Sequence, residues 1–384
     1  MTYLVVDVET TTFQKGNPFS RRNKLCAFGV RGPFGGYSTT DIEGHLEALQ
    51  HDVNNKLLVG FNIKFDLHWI RKHEIDFSSC NVWDCQLAAF LLSGQSTPYP
   101  SLDGVSSQYG LGSKLDVVST EYWDKGIDTD AIPEEVLLDY LDQDLLLTEQ
   151  VYHHQLKLFE SEPQLFKLFK LQCQDLLVLQ EMEYNGMLFD VEKATEQALV
   201  EEKRSKEIEL ELMEGYEGIP INFQSRDHLS CYLYGGTIVD EARMPIGVYK
   251  TGAKTGLPRY KIVEYKYELP QLIKPPKGSE LKKDGYFATD EGTLRSITAG
   301  KQARHKLDLV LERSKSSKLI GTYYRGIPEL IQTMDWPDGT LHGNFNQCVA
   351  TTGRLSSSRP NLQNFAGEVD KLLVSRYENT KPTE

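Results

Sequence analysis

No two cysteines in this 384-residue chain are spaced C-x-x-C. The six present (Cys26, Cys80, Cys85, Cys173, Cys231 and Cys348) are scattered, which argues against a zinc site and, at this length, against a disulfide framework. Reduced core cysteines are the expectation. No stretch approaches the roughly 18 uninterrupted apolar residues of a membrane span, and the N-terminus reaches Asp7 and Glu9 too soon for a secretory signal. A soluble, cytoplasmic protein without membrane work is expected. Neither a G-x-S-x-G elbow nor a P-loop occurs, so nothing proposes a side-chain nucleophile or a phosphate cradle. Positive charge is also scarce, with 42 Lys and Arg against 55 Asp and Glu, a net charge of -13.

That deficit is uneven. Residues 241–325 hold 18 Lys and Arg against 9 Asp and Glu, so the acidity lies mainly in the first 240 residues. A basic stretch beside an acidic one fits a polyanion-binding surface next to a carboxylate-lined site, and it fits a solvated basic face equally well. With 40% apolar and 25% charged residues, packed cores in two or three domains are expected.

The opening run Tyr3-Leu-Val-Val-Asp-Val-Glu9 is short, rich in valine and nearly continuous in apolar residues, the pattern of a central strand buried on both faces. Further strands are predicted near 24–30 and 57–60, and helices over 63–73, 84–92 and 133–159. This describes an α/β domain. From Gln164 to Tyr216 the pattern is helical, interrupted at Gly186, with a Glu/Lys-rich run that suits a solvent-facing helix. Between Met244 and Gly285 the Pro and Gly content rises around a strand-like Tyr260–Tyr267 segment, as in an inserted hairpin or arm. One further helix is predicted over 289–319. Polar loops to Asn364 and a last strand over 370–376 follow.

Asp7 and Glu9 are two apart on a strand, so both point to one side at its end and make a plausible metal seat. Asn62 and Asp66 share a helical face by their spacing of four, as do Tyr140 and Asp144. Asp144 borders the apolar stripe of Leu137, Leu141, Leu145 and Thr148, and a buried carboxylate needs a partner or a metal. All-oxygen donors favour Mg²⁺ or Mn²⁺. Taken singly, each pair is more often an ordinary surface feature.

In this order, Val6-Asp7-Val8-Glu9-Thr10, Gly60-Phe61-Asn62-Ile63-Lys64-Phe65-Asp66 and Tyr140-Leu141-Asp142-Gln143-Asp144 resemble the DEDD exonuclease superfamily. The Y-x-x-x-D spacing matches its tyrosine subtype, the proofreading branch. The resemblance implies a ribonuclease H-like 3′-5′ exonuclease domain over 1–155. It implies two ions, with Asp7, Glu9 and Asp144 holding one, Asp7 bridging to the second and Asp66 supporting that second ion through its water shell. Tyr140 and Glu9 would orient the attacking water, and Asn62 would contact the DNA strand. Two divalent ions can activate a water and stabilise both oxygens of an in-line displacement.

Thr351-Thr-Gly-Arg-Leu-Ser-Ser-Ser-Arg-Pro-Asn-Leu-Gln-Asn364 resembles the T-G-R-L-S-S…P-N-L-Q-N signature of family A DNA polymerases, although its composition alone reads as a loop. The resemblance implies that Arg354, with Asn361 and Gln363, lies along the minor groove of a primer-template. Ser314–Tyr323 and His342–Gln347 also resemble family segments. They imply a mostly α-helical thumb over 156–320 with an insertion at about 241–286, and the start of an α+β palm, incomplete here, over 321–384. Arg313, Lys315 and Lys318 become candidate phosphate contacts. After Asn364 the family's Ile-Pro is replaced by Phe365-Ala366.

The family's D-Y-S-x-x-E segment, fingers and H-D-E strand are not found in these residues. Three readings stand at this point. One is a proofreading subunit of a split, phage-type polymerase whose C-terminal chain supplies the remaining palm and fingers, working in the host cytoplasm on primer-template and single-stranded 3′ ends. Another is a free-standing exonuclease trimming DNA or RNA, and the third is a non-catalytic DNA-binding scaffold.

Overall fold

In the computed structural model, residues 2–252, 254–337, 339–365 and 367–375 are described. Strands β1 (Tyr3–Thr10), β2 (Leu25–Gly32) and β3 (Gly35–Thr39), helix α1 (Ile42–Val53), β4 (Leu57–Gly60), α2 (Ile63–Lys72) and β5 (Asn81–Asp84) come first. The strands form one sheet in the order β3-β2-β1-β4-β5. The β1–β2 and β2–β3 pairs are antiparallel, whereas β4 runs parallel to β1 and to β5. Val5, Val6 and Val8 are buried, as a central strand with both faces covered requires. The β1–β2 register slips between Glu9 and Thr10, and a bulge at that point re-aims the strand end that carries the acidic residues.

Helices α3 (Cys85–Leu92), α4 (Leu102–Gln108), α5 (Val117–Glu121) and α6 (Glu134–Glu160) follow. Asp84 caps α3 by accepting from the backbone N–H groups of Gln86 and Leu87. Glu134 and Glu135 sit in the first turn of α6, where the helix dipole favours negative charge. Leu141 and Leu145 of α6 rest on Gly29 of β2, where an added Cβ would lie 2.5 Å from Leu145 Cδ1. The long apolar face of α6 therefore closes on the sheet only because position 29 has no side chain.

Helix α7 (Pro163–Asn185) leads through Gly186 to strand β6 (Met187–Phe189) and helix α8 (Val191–Leu212). The expected interruption at Gly186 proves to contain a strand. Gly186 has φ +60°, and a Cβ there would meet Leu341 O and Thr340 Cγ2 at 2.7 Å. Then come α9 (Arg226–Tyr234), the long strands β7 (Gly236–Val248) and β8 (Pro258–Leu269), α10 (Glu291–Ser296) and α11 (Lys301–Lys318). The single helix expected over 289–319 is broken. Ile297 is extended at the end of α10 and Gly300 is extended at the start of α11, as suits a β-branched pair followed by glycine. A π-helical turn, Leu319–Tyr324, passes into α12 (Gly326–Met334).

Short strands β9 (Thr340–Leu341), β10 (Asn344–Asn346), β11 (Ser356–Ser358) and β12 (Leu373–Val374) complete the described chain. β10 pairs with β11, and β6 is the centre of a sheet ordered β12-β6-β9. The strand expected over 370–376 is reduced to β12, preceded by a 3₁₀ turn at Asp370–Leu372. Its Arg376, like Ala366, lies outside the described residues. Two compact units result, residues 1–193 with 327–384 and residues 194–326. Among the described residues no helix is long and apolar enough to cross a membrane.

Gly29→Ala should cost about 1–3 kcal/mol by overpacking β2 against α6, read as a lower midpoint in urea unfolding. An unchanged midpoint would mean that the helix gives way freely.

Candidate metal centre

β1 presents Asp7 and Glu9, and α6 presents Tyr140 and Asp144 one turn apart. One carboxylate oxygen from each of Asp7, Glu9 and Asp144 lies within 4.8 Å of the others. Glu9 and Asp144 are buried, and Asp7 is partly so. Asp66, buried on α2, stands outside that trio but within its field. Its carboxyl is pushed well above the ordinary range by burial, then by the charges of Asp7 and Asp84. Burial is also the main cause that raises Asp7, to about 7, with the Asp144 charge adding to it. Glu9 is raised well above its usual value by burial and by Asp7.

The only cation at the cluster among the described residues is Lys114, from the loop before α5. Its ammonium pairs with Asp144 Oδ2 and lies 4.9 Å from the centre of the Tyr140 ring. Burial works against the ammonium, yet the carboxylate and the phenol outweigh it and hold the lysine charged. Burial raises Asp144 while Lys114 lowers it, and the net shift is upward. Burial likewise raises the Tyr140 phenol, and Trp123 packs edge-on to its ring at 6.0 Å.

The other oxygen of Asp144, Oδ1, is buried without a hydrogen-bond partner. An orphaned oxygen on a buried carboxylate that stands close to two further carboxylates is costly in an apolar setting. A divalent cation would satisfy it. Asp7, Glu9 and Asp144 fit as direct ligands, and the all-oxygen donor set suits a hard ion such as Mg²⁺ or Mn²⁺.

Asn62 heads α2 in the left-handed conformation, φ 64° and ψ 45°, exposed and without a side-chain cap bond. It lines a cavity of about 310 Å³ with Lys64, Phe65, Phe19, Tyr99 and Trp336. At its floor Glu183 is buried, with Lys64 Nζ at 2.6 Å, His68 Nε2 at 2.9 Å and the Phe345 N–H donating to it at 2.6 Å. Burial opposes its charge, but the His68 hydrogen bond and the Lys64 charge prevail and lower the Glu183 carboxyl.

Arg313 requires correction as a candidate phosphate contact. Its guanidinium is buried, 2.5 Å from Glu209 and 5.6 Å from the centre of the Phe223 ring, so it faces an internal partner rather than solvent. Lys315 and Lys318 are exposed on α11. Arg354 is exposed in the loop between β10 and β11, Asn361 and Gln363 are exposed at the 3₁₀ turn after β11, and the Asn361 side chain accepts from the Gln363 N–H at 3.1 Å. Sequence spacing missed Lys114 and Glu183. Lys114 lies in a loop with no periodicity, and Glu183 reads as one more charge on a helix.

Residues 261–376 match the family model described as DNA polymerase family A. The DNA polymerase I of Synechocystis sp. is 29% identical over 310 residues, 79% of this chain and 26% of the relative. The thermostable DNA polymerase I of Thermus thermophilus is 31% identical over 223 residues, 57% and 21%. That of Bacillus subtilis is 26% identical over 287 residues, 74% and 27%. Over these segments the chain is similar to DNA polymerase I, and it spans about a quarter of the length of these relatives. Its fold is similar to that of the POL domain of Pol1 from M. smegmatis, solved in complex with DNA primer-template and dNTP. The TM-score is 0.64 at 16% identity, covering 94% of this chain and 52% of that one.

The raised carboxyls fix the sign of a pH effect. A carboxyl whose folded pKa exceeds its unfolded value holds its proton more tightly when folded, so stability is lost as pH rises between the two values. For Asp7 that window runs from 3.8 to about 7. In EDTA, Asp7→Asn should therefore become more stable than the parent as pH rises through this window, read as a difference in Tm. Millimolar Mn²⁺ should close the gap by stabilising the parent. Lys114→Met should lower Tm in EDTA at pH 8 and regain much of it with Mn²⁺. A loss indifferent to the ion would show that the lysine merely packs.

Proposed function

We propose that this chain is a two-metal 3′-5′ exonuclease that releases 5′-mononucleotides from DNA 3′ ends, within a protein of the DNA polymerase I type. The convergence of Asp7, Glu9 and Asp144, together with the unpartnered Asp144 Oδ1, carries the reading. The sheet order β3-β2-β1-β4-β5, with its acidic residues at the end of β1, supports a ribonuclease H-like exonuclease domain over 1–155. Residues 156–320 then form the thumb and 321–384 the start of the palm.

Bound divalent ions supply Lewis-acid stabilisation to the phosphate oxygens of an in-line displacement. The chain supplies the rest. Asp7, Glu9 and Asp144 would hold an ion, and Asp66, buried in their field, would support a second. The Tyr140 phenol, kept protonated by burial, donates to the attacking water while Glu9 accepts from it. Phe65 and Tyr99 offer apolar ring surface and Asn62 a polar side chain at the cavity, suited to an unpaired 3′ end, since every base has a face to stack. Arg354, Asn361 and Gln363 are assigned to the primer-template, and Lys315 and Lys318 to phosphate. Nucleotide addition would need the family's palm carboxylates and fingers, supplied by a further segment of polypeptide on this chain or another.

Incubating the chain with a 3′-labelled single-stranded oligonucleotide and Mg²⁺ should release mononucleotides stepwise. Release should vanish with EDTA or Asp7→Ala and slow roughly 10²-fold with Tyr140→Phe. Hydrolysis untouched by Asp7→Ala would sink the assignment, and DNA binding without hydrolysis in the parent would favour a scaffold.

A further inference from the structure

Strands β7 and β8 form a two-stranded sheet that pairs with no other strand among the described residues. Only its base is anchored: Ile238 and Leu269 are buried in the core of the second unit. From Arg243 to Lys261 every described residue is exposed. Ten residues of strand beyond Ile238 carry the ribbon about 33 Å outward.

Residues 243–261 contain Arg243, Lys250, Lys254, Arg259 and Lys261 and no acidic residue. Elsewhere in this unit Arg204, Arg295, Arg304, Arg313 and Arg325 are paired with carboxylates. None of the five cations on the ribbon forms an ion pair among the described residues. A ribbon that concentrates unpaired cations, in a chain of net charge -13, is complementary to a polyanion and to little else. Tyr249, Tyr260 and Ile262 are exposed among these cations, as apolar surface for sugars and base edges. A two-stranded ribbon fits the roughly 12 Å major groove of a duplex, and its reach is close to one helical turn of about 34 Å.

We propose that the β7–β8 hairpin is a duplex-binding arm that lies in the groove of double-stranded DNA. Arg243, Lys250, Lys254, Arg259 and Lys261 neutralise the flanking phosphates. The inference rests on DNA being the substrate, and it extends that reading from the 3′ end to the duplex behind it.

The test is equilibrium binding of a primer-template duplex and of a single strand in EDTA, across a salt series. It compares the parent, the fivefold variant R243Q/K250Q/K254Q/R259Q/K261Q and the single variant Lys254→Glu, whose exposed site leaves the fold intact. Each lost phosphate contact should reduce the slope of log K against log salt by about 0.9. The fivefold variant should thus lose about 4.5 from the duplex slope and Lys254→Glu about 1, with single-strand hydrolysis in Mg²⁺ unchanged. An unchanged duplex slope in both variants overturns the proposal and points the apolar residues of the ribbon toward a protein partner. A reduced slope in a chain that hydrolyses nothing would leave the arm standing and overturn only the nuclease assignment.

Discussion

Three carboxylates whose oxygens approach within 4.8 Å repel one another, and the architecture of the first unit is what imposes that approach. Two like charges about 4 Å apart cost roughly 4 kcal/mol at an effective dielectric of 20, comparable to a large part of a domain's net stability. The opposing force is packing. β1 is fixed between β2 and β4, Gly29 lets α6 settle on β2, and Leu141 and Leu145 lock the helix turn that carries Asp144. Lys114 offsets part of the repulsion, but it satisfies one oxygen of Asp144 and leaves the other bare. A fold that strains toward negative charge in this way would be completed by cations from outside.

A second buried charge shows the contrasting solution. Glu183 receives Lys64, His68 and the Phe345 N–H, so its desolvation is compensated within the protein. The pairing joins α2, α7 and the β10 region, segments that lie more than a hundred residues apart. Removing one partner of such a group typically costs 3–5 kcal/mol because the other is left uncompensated. Satisfied internally, Glu183 reads as structural, whereas the incompletely satisfied Asp144 reads as functional.

Periodicity made much of this legible. The valine-rich opening gave β1, the spacing of two put Asp7 and Glu9 on one side, and the spacing of four put Tyr140 with Asp144 on α6. What stayed hidden depends on tertiary partners. Lys114 is brought in by a loop. Arg313 looks like a surface cation on α11 until Glu209 is placed against it. Three-residue β6 forms only because β9 and β12 come from more than 150 residues away, and the break before α11 follows from Ile297 and Gly300 within an otherwise helical pattern. Helical and strand periods report which face is buried, not which element lies across from it.

Charge segregation also bears on how an acidic chain handles a polyanion. Under the proposed function, Asp7, Glu9, Asp66 and Asp144 would, without ions, repel a phosphate at the place where it must react. Two divalent ions would reverse the local sign, and incoming phosphate oxygens would in turn supply ligands that the carboxylates leave vacant. Under the proposed function, ion and 3′ end therefore favour each other at the centre. By linkage, whatever DNA adds to metal affinity, metal adds to DNA affinity by the same factor. Under the same proposal the cations of α11 and of the β7–β8 ribbon would serve a different purpose, because their attraction for phosphate does not wait on metal. Such a division would let duplex be retained while the 3′ end is engaged only when the centre is loaded.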